Sequence, residues 1–182
     1  MSAHTNKVGT RIMTASGQYF DFLKPELYTF DIEAIAHSLS LQCRWTGNCK
    51  SFYSIAEHST RCSYLVPKEH ALAAILHDAV ETVTGDCSTP LKKLLNRFSE
   101  IEHAAEEVLM KQFKISMPLH PCVKSADLIM LCTEKRDLMG DDSAWEMLDG
   151  VLPLPKIIKP WGHEKAKRKF LERYYEITKE NV

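Results

Sequence analysis

The apolar run ALAAIL at residues 71–76 leads without a break into HDAVETVTGD at residues 77–86. A helix of that composition turns an apolar face to a core, yet this one delivers a histidine, an aspartate and then a glutamate to the region where the core should be. Burying a carboxylate costs several kcal/mol unless a partner compensates it. The chain must therefore fold so that a cation meets His77 and Asp78, and a metal ion is the simplest such partner.

The remaining pattern is helical. Asp31 is placed to cap a helix whose inner face carries Ile32, Ile35, Ala36, Leu39 and Cys43. A polar, glycine-marked stretch, RWTGNCKSFYS, reads as a loop before a second helix near Ser54. A third helix is expected from about Glu69 to Val83, between Pro67 and Gly85. The string SEIE at 99–102 has the form of a capping box, so a further helix should begin at Ser99, with Pro118 and Pro121 closing that unit. Residues 123–139 keep the helical period, with Asp127 in their apolar centre. The proline-rich VLPLPKIIKPWG at 151–162 must be an extended excursion over the surface, and a last helix should run from about Glu164 to Thr178. Only residues 11–22, around Ser16-Gly17, alternate as a short hairpin would. The expectation is one all-α domain over residues 1–182 with a short N-terminal β-hairpin.

Composition narrows the partners. Hydrophobic residues make up 45% and charged residues 26%, values of an ordinary globular protein, and a chain of 182 residues can bury roughly 70% of its unfolded surface. The net charge of -1, without a basic block, argues against tracking long nucleic acid. The N-terminus has no apolar leader and no apolar run is long enough for a membrane span. Six cysteines without a CxxC pair read as reduced core thiols of a cytoplasmic protein.

Four ionisable or metal-binding residues stand where burial is expected: His58 in SIAEHS, His77 and Asp78 in ILHDAV, and Asp127 in SADLIM. Two imidazoles and two carboxylates suit a single divalent transition ion, Co, Mn, Zn, Fe or Ni. Each residue also has a plainer reading: His58 as a hydrogen-bonded core histidine, Asp127 as the partner of a nearby lysine or arginine. His37, on a polar side of its helix, is a further candidate. His4, His70, His103, His120 and His163 look like surface residues.

With EH at 57–58, HD at 77–78 and AD at 126–127, the chain resembles the HD-domain phosphohydrolase superfamily, a compact helical bundle around that metal site. HDAVETVTGDCSTPLK, with RW at 44–45 upstream, further resembles the 5'-deoxynucleotidase branch, and GQYFDF and ADLIMLCTEKRDL resemble small HD hydrolases of phages and prophages. The resemblance implies that His58, His77, Asp78 and Asp127 hold the metal. His37 is rejected as a ligand because its spacing departs from the family's EH position. It implies Glu81 as a catalytic carboxylate beside the attacking water, Asp86 as a second acid near the leaving ester oxygen, Arg44 and Lys92 as phosphate ligands, and Trp45 as a wall of the sugar and base pocket. Glu81, four residues after His77, would share its helical face. A wall close to C2' would favour deoxyribose. Plainer readings stand beside these: a surface cation-π pair for Arg44 and Trp45, a solvated helix residue for Glu81, a cap of a helix near Ser88 for Asp86. Where many phage relatives have a histidine, this chain has Asn48, and no ligands for a second metal are evident.

The leading expectation is a metal-dependent phosphohydrolase that removes the 5'-phosphate from deoxynucleoside monophosphates such as dAMP. Alternatives are a dNTP triphosphohydrolase, for which Lys50, Lys92 and Lys93 could supply charge, a catalytically silent HD scaffold that binds a nucleotide or protein, and a phosphodiesterase acting on cyclic nucleotides or RNA ends. Phe98, Phe113, Trp145 and Trp161 are candidates for a homo-oligomer interface or for core, Phe113 being better explained as core.

Overall fold

The computed structural model describes residues 9–179; His4 lies outside them. Arg11–Met13 (β1) and Tyr19–Asp21 (β2) pair antiparallel, Ile12 opposite Phe20, and turn through Gly17 at φ 79°. The hairpin is held to the helices by Phe20, fully buried, with the rings of Phe22 and Tyr28 edge-on to it at 5.1 and 5.4 Å.

The rest is a helical bundle. Helix α1 (Ile32–Leu41) is capped by Asp31, whose carboxylate accepts the Ala34 N–H at 2.9 Å. Ile35, Ala36 and Leu39 are buried as their spacing predicts. Cys43 lies past the helix end and pairs instead with Ser54 in an isolated antiparallel bridge. Ser54 then caps α2 (Ile55–Cys62) by accepting the Glu57 N–H at 3.1 Å.

The helix expected over 69–83 is broken. A 3-10 turn at Lys68–His70 leads into α3 (Ala71–Leu76), and a separate short helix, α4 (Glu81–Thr84), follows. Between them Ala79, Glu81 and Thr82 donate to carbonyls three residues back rather than four. The cause is local: the Ala74 carbonyl, which an α-helix would offer to the Asp78 N–H, lies 2.7 Å from His77 Nδ1 instead. Glu81 therefore reaches the site at the start of its own helix, not along one face shared with His77. Gly85, at φ 77°, ends α4 in a conformation that few other residues accept.

After α5 (Thr89–Lys92), α6 (Phe98–Gln112) starts one residue before Ser99, behind Arg97 at φ 67°. The expected capping box does not form, because Ser99 is already inside the helix and Glu102 pairs with Lys92 at 2.7 Å. Helix α7 (Pro121–Glu134) begins at Pro121, so that proline opens a helix rather than closing the preceding unit. It continues as a π-turn over Lys135–Met139. Helix α8 (His163–Lys179) packs against α1, α2 and α3 around Phe170, while Tyr53, Cys62, Ala126, Met130, Leu138 and Ile158 join α2 to α7.

The 151–162 excursion is extended and pinned by side chains. Thr133 Oγ1 accepts the Leu154 N–H at 2.9 Å, Asp137 Oδ2 the Ile158 N–H at 2.8 Å, and Glu57 Oε2 the Trp161 N–H at 2.7 Å. Of the cysteines, all free, Cys62 is buried and the others are half-buried. Phe113 and Trp161 pack against the main core. Among the described residues no helix is long and apolar enough to cross a membrane.

Candidate active site

Helix α2, the turn after α3, and helix α7 converge on one point. His58 comes from the first, His77 and Asp78 from the second, Asp127 from the third. His58 Nε2 lies 3.4 Å from His77 Nε2, 3.3 Å from Asp127 Oδ1 and 3.6 Å from Asp78 Oδ2, and His77 Nε2 lies 3.3 Å from the same Asp78 oxygen. Asp127 makes the lysine pairing that the sequence left open, its Oδ2 accepting from Lys124 Nζ at 2.7 Å, while its Oδ1 faces His58.

Both histidines are set in the same tautomer. His77 Nδ1 donates to the Ala74 carbonyl, and His58 Nδ1 lies 2.6 Å from Glu134 Oε1, both groups being fully buried. The two Nε2 lone pairs are thereby turned toward each other and toward carboxylate oxygens, an arrangement that repels itself unless a cation lies between. Atoms bound to one transition ion at about 2.0–2.2 Å lie about 3–3.5 Å apart, close to the 3.3–3.6 Å that separate these donors, and the donor chemistry suits such an ion. The carboxylates draw a proton to His58: burial and the Arg44 charge oppose it, but Glu134 and Asp127 outweigh them and the imidazole titrates well above its usual range. For Asp127 burial is likewise outweighed, by the His58 and His77 imidazoles, and the carboxyl is held low. Cys62 adds a thiol 3.4 Å from His58 Nε2, its own pKa pushed up by burial.

Arg44 and Trp45 are delivered by the 44–53 loop, which the Cys43–Ser54 bridge closes at its base. Arg44 is not a surface residue. Its Nε donates to Glu134 Oε2 at 3.1 Å and its Nη1 to Asp78 Oδ2 at 3.2 Å. The Trp45 indole N–H donates to the same Glu134 oxygen at 3.2 Å, and its ring tilts against Trp145 at 5.8 Å. Trp45 and Thr46 both adopt left-handed backbone, φ 60° and 52°, a strain of about 1–3 kcal/mol per residue of the kind held at functional sites.

Glu81 is buried rather than solvated, and its Oε2 has no hydrogen-bond partner among the described residues. Burial first, then the charges of Asp78 and Asp86, raise its pKa well above the ordinary value. Asp86 does not cap α5; its Oδ2 accepts the Thr46 N–H at 3.1 Å, tying it to the Arg44-Trp45 loop. Lys92 lines a cleft of about 640 Å³ together with His77, Asp78 and Glu81. The opposite wall is α6, which contributes Glu100, Glu102, His103 and Glu106.

Comparison with known proteins bears on this arrangement. The family described as 5'-deoxynucleotidase YfbR-like matches residues 50–121, the stretch that carries His58, His77, Asp78, Glu81, Asp86 and Lys92. The chain is 38% identical over 170 residues to the uncharacterized protein YfdR of Escherichia coli (strain K12), covering 92% of this chain and 95% of that one. The chain belongs to the YfbR-like family of the HD superfamily. A second relative of the chain, an uncharacterized protein of Rhodobacter capsulatus, is 31% identical over 143 residues, covering 71% of this chain and 73% of that one. The HD superfamily depends on a divalent metal; in this YfbR-like protein His58, Cys62 and His77 place one donor atom each within 4.8 Å of one another, with Asp78 and Asp127 beside them.

Reading the sequence did not single out Glu134, which meets His58, Arg44 and Trp45 at once. The signal was available: Glu134 stands two helical turns after Asp127 on α7, hence on the same face. Cys62 was missed because a buried cysteine on a helix is ordinarily core.

Proposed function

We propose that this YfbR-like protein hydrolyses the 5'-phosphate of 2'-deoxynucleoside monophosphates, of which dAMP is the type, using one divalent ion held by His58, His77, Asp78 and Asp127. The observation that carries the reading is the convergence of these four donors beside Glu81, a buried carboxyl with an unpartnered oxygen. The bound ion would polarise the phosphoryl group and lower the pKa of water toward ~7. Glu81, kept basic by its neighbours, takes the proton of the attacking water. As the P–O5' bond breaks, Asp86 gives a proton to the departing oxygen, which leaves as the nucleoside hydroxyl beside orthophosphate, and the proton held by Glu81 returns through solvent to restore Asp86. Arg44 and Lys92 neutralise phosphate charge, and Trp45 bounds the sugar.

The acidic wall of the cleft favours a monophosphate. A triphosphate would bring added negative charge toward Glu100, Glu102 and Glu106, against a single lysine among the described residues that line the cleft, Lys92, which is itself paired with Glu102. The protein acts as one HD-type domain across residues 1–182, in the cytoplasm, on a small nucleotide. Metal-stripped protein resupplied with Co or Mn and incubated with dAMP, AMP and dATP tests the reading. Nucleoside and orthophosphate from dAMP, with AMP spared and Asp78→Ala inactive, is the expected result. Tripolyphosphate from dATP would place the protein among dNTP triphosphohydrolases, and no turnover would leave a silent scaffold or a phosphodiesterase.

A further inference from the structure

His70, His120 and Cys122 form a second cluster, sharing no residue with the site above. His70 closes the 3-10 turn ahead of α3; His120 precedes α7 and Cys122 is its second residue. One nitrogen of each ring and the Cys122 Sγ lie within 4.8 Å of one another, and the two imidazoles stack nearly parallel, centroids 4.1 Å apart at 12°. The Cys122 N–H donates to His120 Nδ1 at 3.2 Å, which puts that ring's lone pair on Nδ1, directed at the start of the helix. His70 and Cys122 are half-buried and His120 is exposed, so an ion can enter from solvent.

We propose that these three side chains bind a second, borderline-soft divalent ion of the zinc type. Two imidazoles and a thiol are poor ligands for Mg or Ca and good ones for Zn, with water completing a tetrahedron. Bound donors sit about 2.0–2.3 Å from zinc, so the two rings tilt out of their stack to converge on it. The ion replaces the Cys122 N–H as the partner of His120 Nδ1, and the thiol releases its proton to solvent as Sγ binds. Such an ion ties the start of α3 to the start of α7. His77 and Asp78 lie just beyond the other end of α3, and Asp127 lies further along α7, so the second ion braces the two segments that carry three of the first ion's donors.

Cobalt titration of the chelator-stripped full chain tests this, because a thiolate ligand gives cobalt a charge-transfer band that imidazole and carboxylate do not. The expected result is a band that survives in Cys62→Ser and in Asp78→Ala and is lost in Cys122→Ser. Zinc should displace the cobalt and quench the band. His120→Asn, which keeps a helix-capping side chain, should weaken zinc binding measured by calorimetry while circular dichroism stays that of the parent. A band that persists in Cys122→Ser, or that disappears with Cys62→Ser instead, overturns the proposal. So does the absence of any thiolate band in the parent chain. Since the readout depends on Cys122 and not on turnover, it stands or falls apart from the phosphohydrolase reading.

Discussion

His58 Nδ1 and Glu134 Oε1 lie 2.6 Å apart with neither side chain exposed to solvent. The same carboxylate, through Oε2, receives the Arg44 guanidinium and the Trp45 indole. Glu134 thus fixes an imidazole of the candidate metal site and the Arg44-Trp45 loop with one side chain. Burial opposes its charge, but Arg44 and His58 outweigh that and hold its carboxyl below the usual range.

Glu134→Gln keeps an acceptor for His58 Nδ1 while removing the charge that makes the imidazole a better ligand. Metal affinity should fall about 10–100-fold, the usual cost of losing such a partner. Calorimetric titration of the stripped variant with cobalt checks it, and an unchanged affinity would make Glu134 a structural residue only.

Asp86→Asn retains an oxygen for the Thr46 N–H and removes the acid. If Asp86 acts on the departing oxygen, kcat for dAMP drops about 10²–10⁴-fold while KM stays within a few-fold. Near-normal kcat would reduce Asp86 to a holder of the Arg44-Trp45 loop.

Glu100→Gln with Glu106→Gln strips two charges from the cleft wall. The ratio of kcat/KM for dATP to that for dAMP should rise about fivefold, the effect of roughly 1 kcal/mol between charges a few ångströms apart in water. An unchanged ratio would show that the wall does not select among phosphate chains.

Asp137 tests the frame around the site. Burial works against its ionisation, but the Arg136 guanidinium and the Ile158 N–H more than offset this and lower its pKa. A carboxyl depressed on folding stabilises above its unfolded pKa, about 3.9, and that contribution fades as pH falls through the folded value. Asp137→Asn should therefore cost about 1.5–3 kcal/mol near neutrality, and the gap in thermal stability should close progressively in acid below about pH 4.

The helical architecture was legible because the periodicity of α1, α6, α7 and α8 survives in the structure with small shifts at the ends. Asp31 announced its cap, and the second helix starts at Ser54 as expected, because a cap needs only a side-chain oxygen and a nearby N–H. The break at His77 was not legible, since nothing in ALAAILHDAV reveals that an imidazole will take a carbonyl from the helix's own backbone. Nor could SEIE show that Glu102 has a better partner in Lys92, ten residues upstream and across the cleft. At the site, the four donors stood out because ionisable groups in apolar helical runs demand a reason. Glu134 did not, since it follows CT and precedes KRD, where a glutamate passes for an exposed residue.

The most direct test of the central claim is anomalous diffraction from crystals of the protein loaded with cobalt, measured at the cobalt absorption edge. The account predicts a peak bounded by His58 Nε2, His77 Nε2, Asp78 and Asp127, with Glu134 still on His58 Nδ1. Loaded crystals with no peak among those four side chains would contradict it.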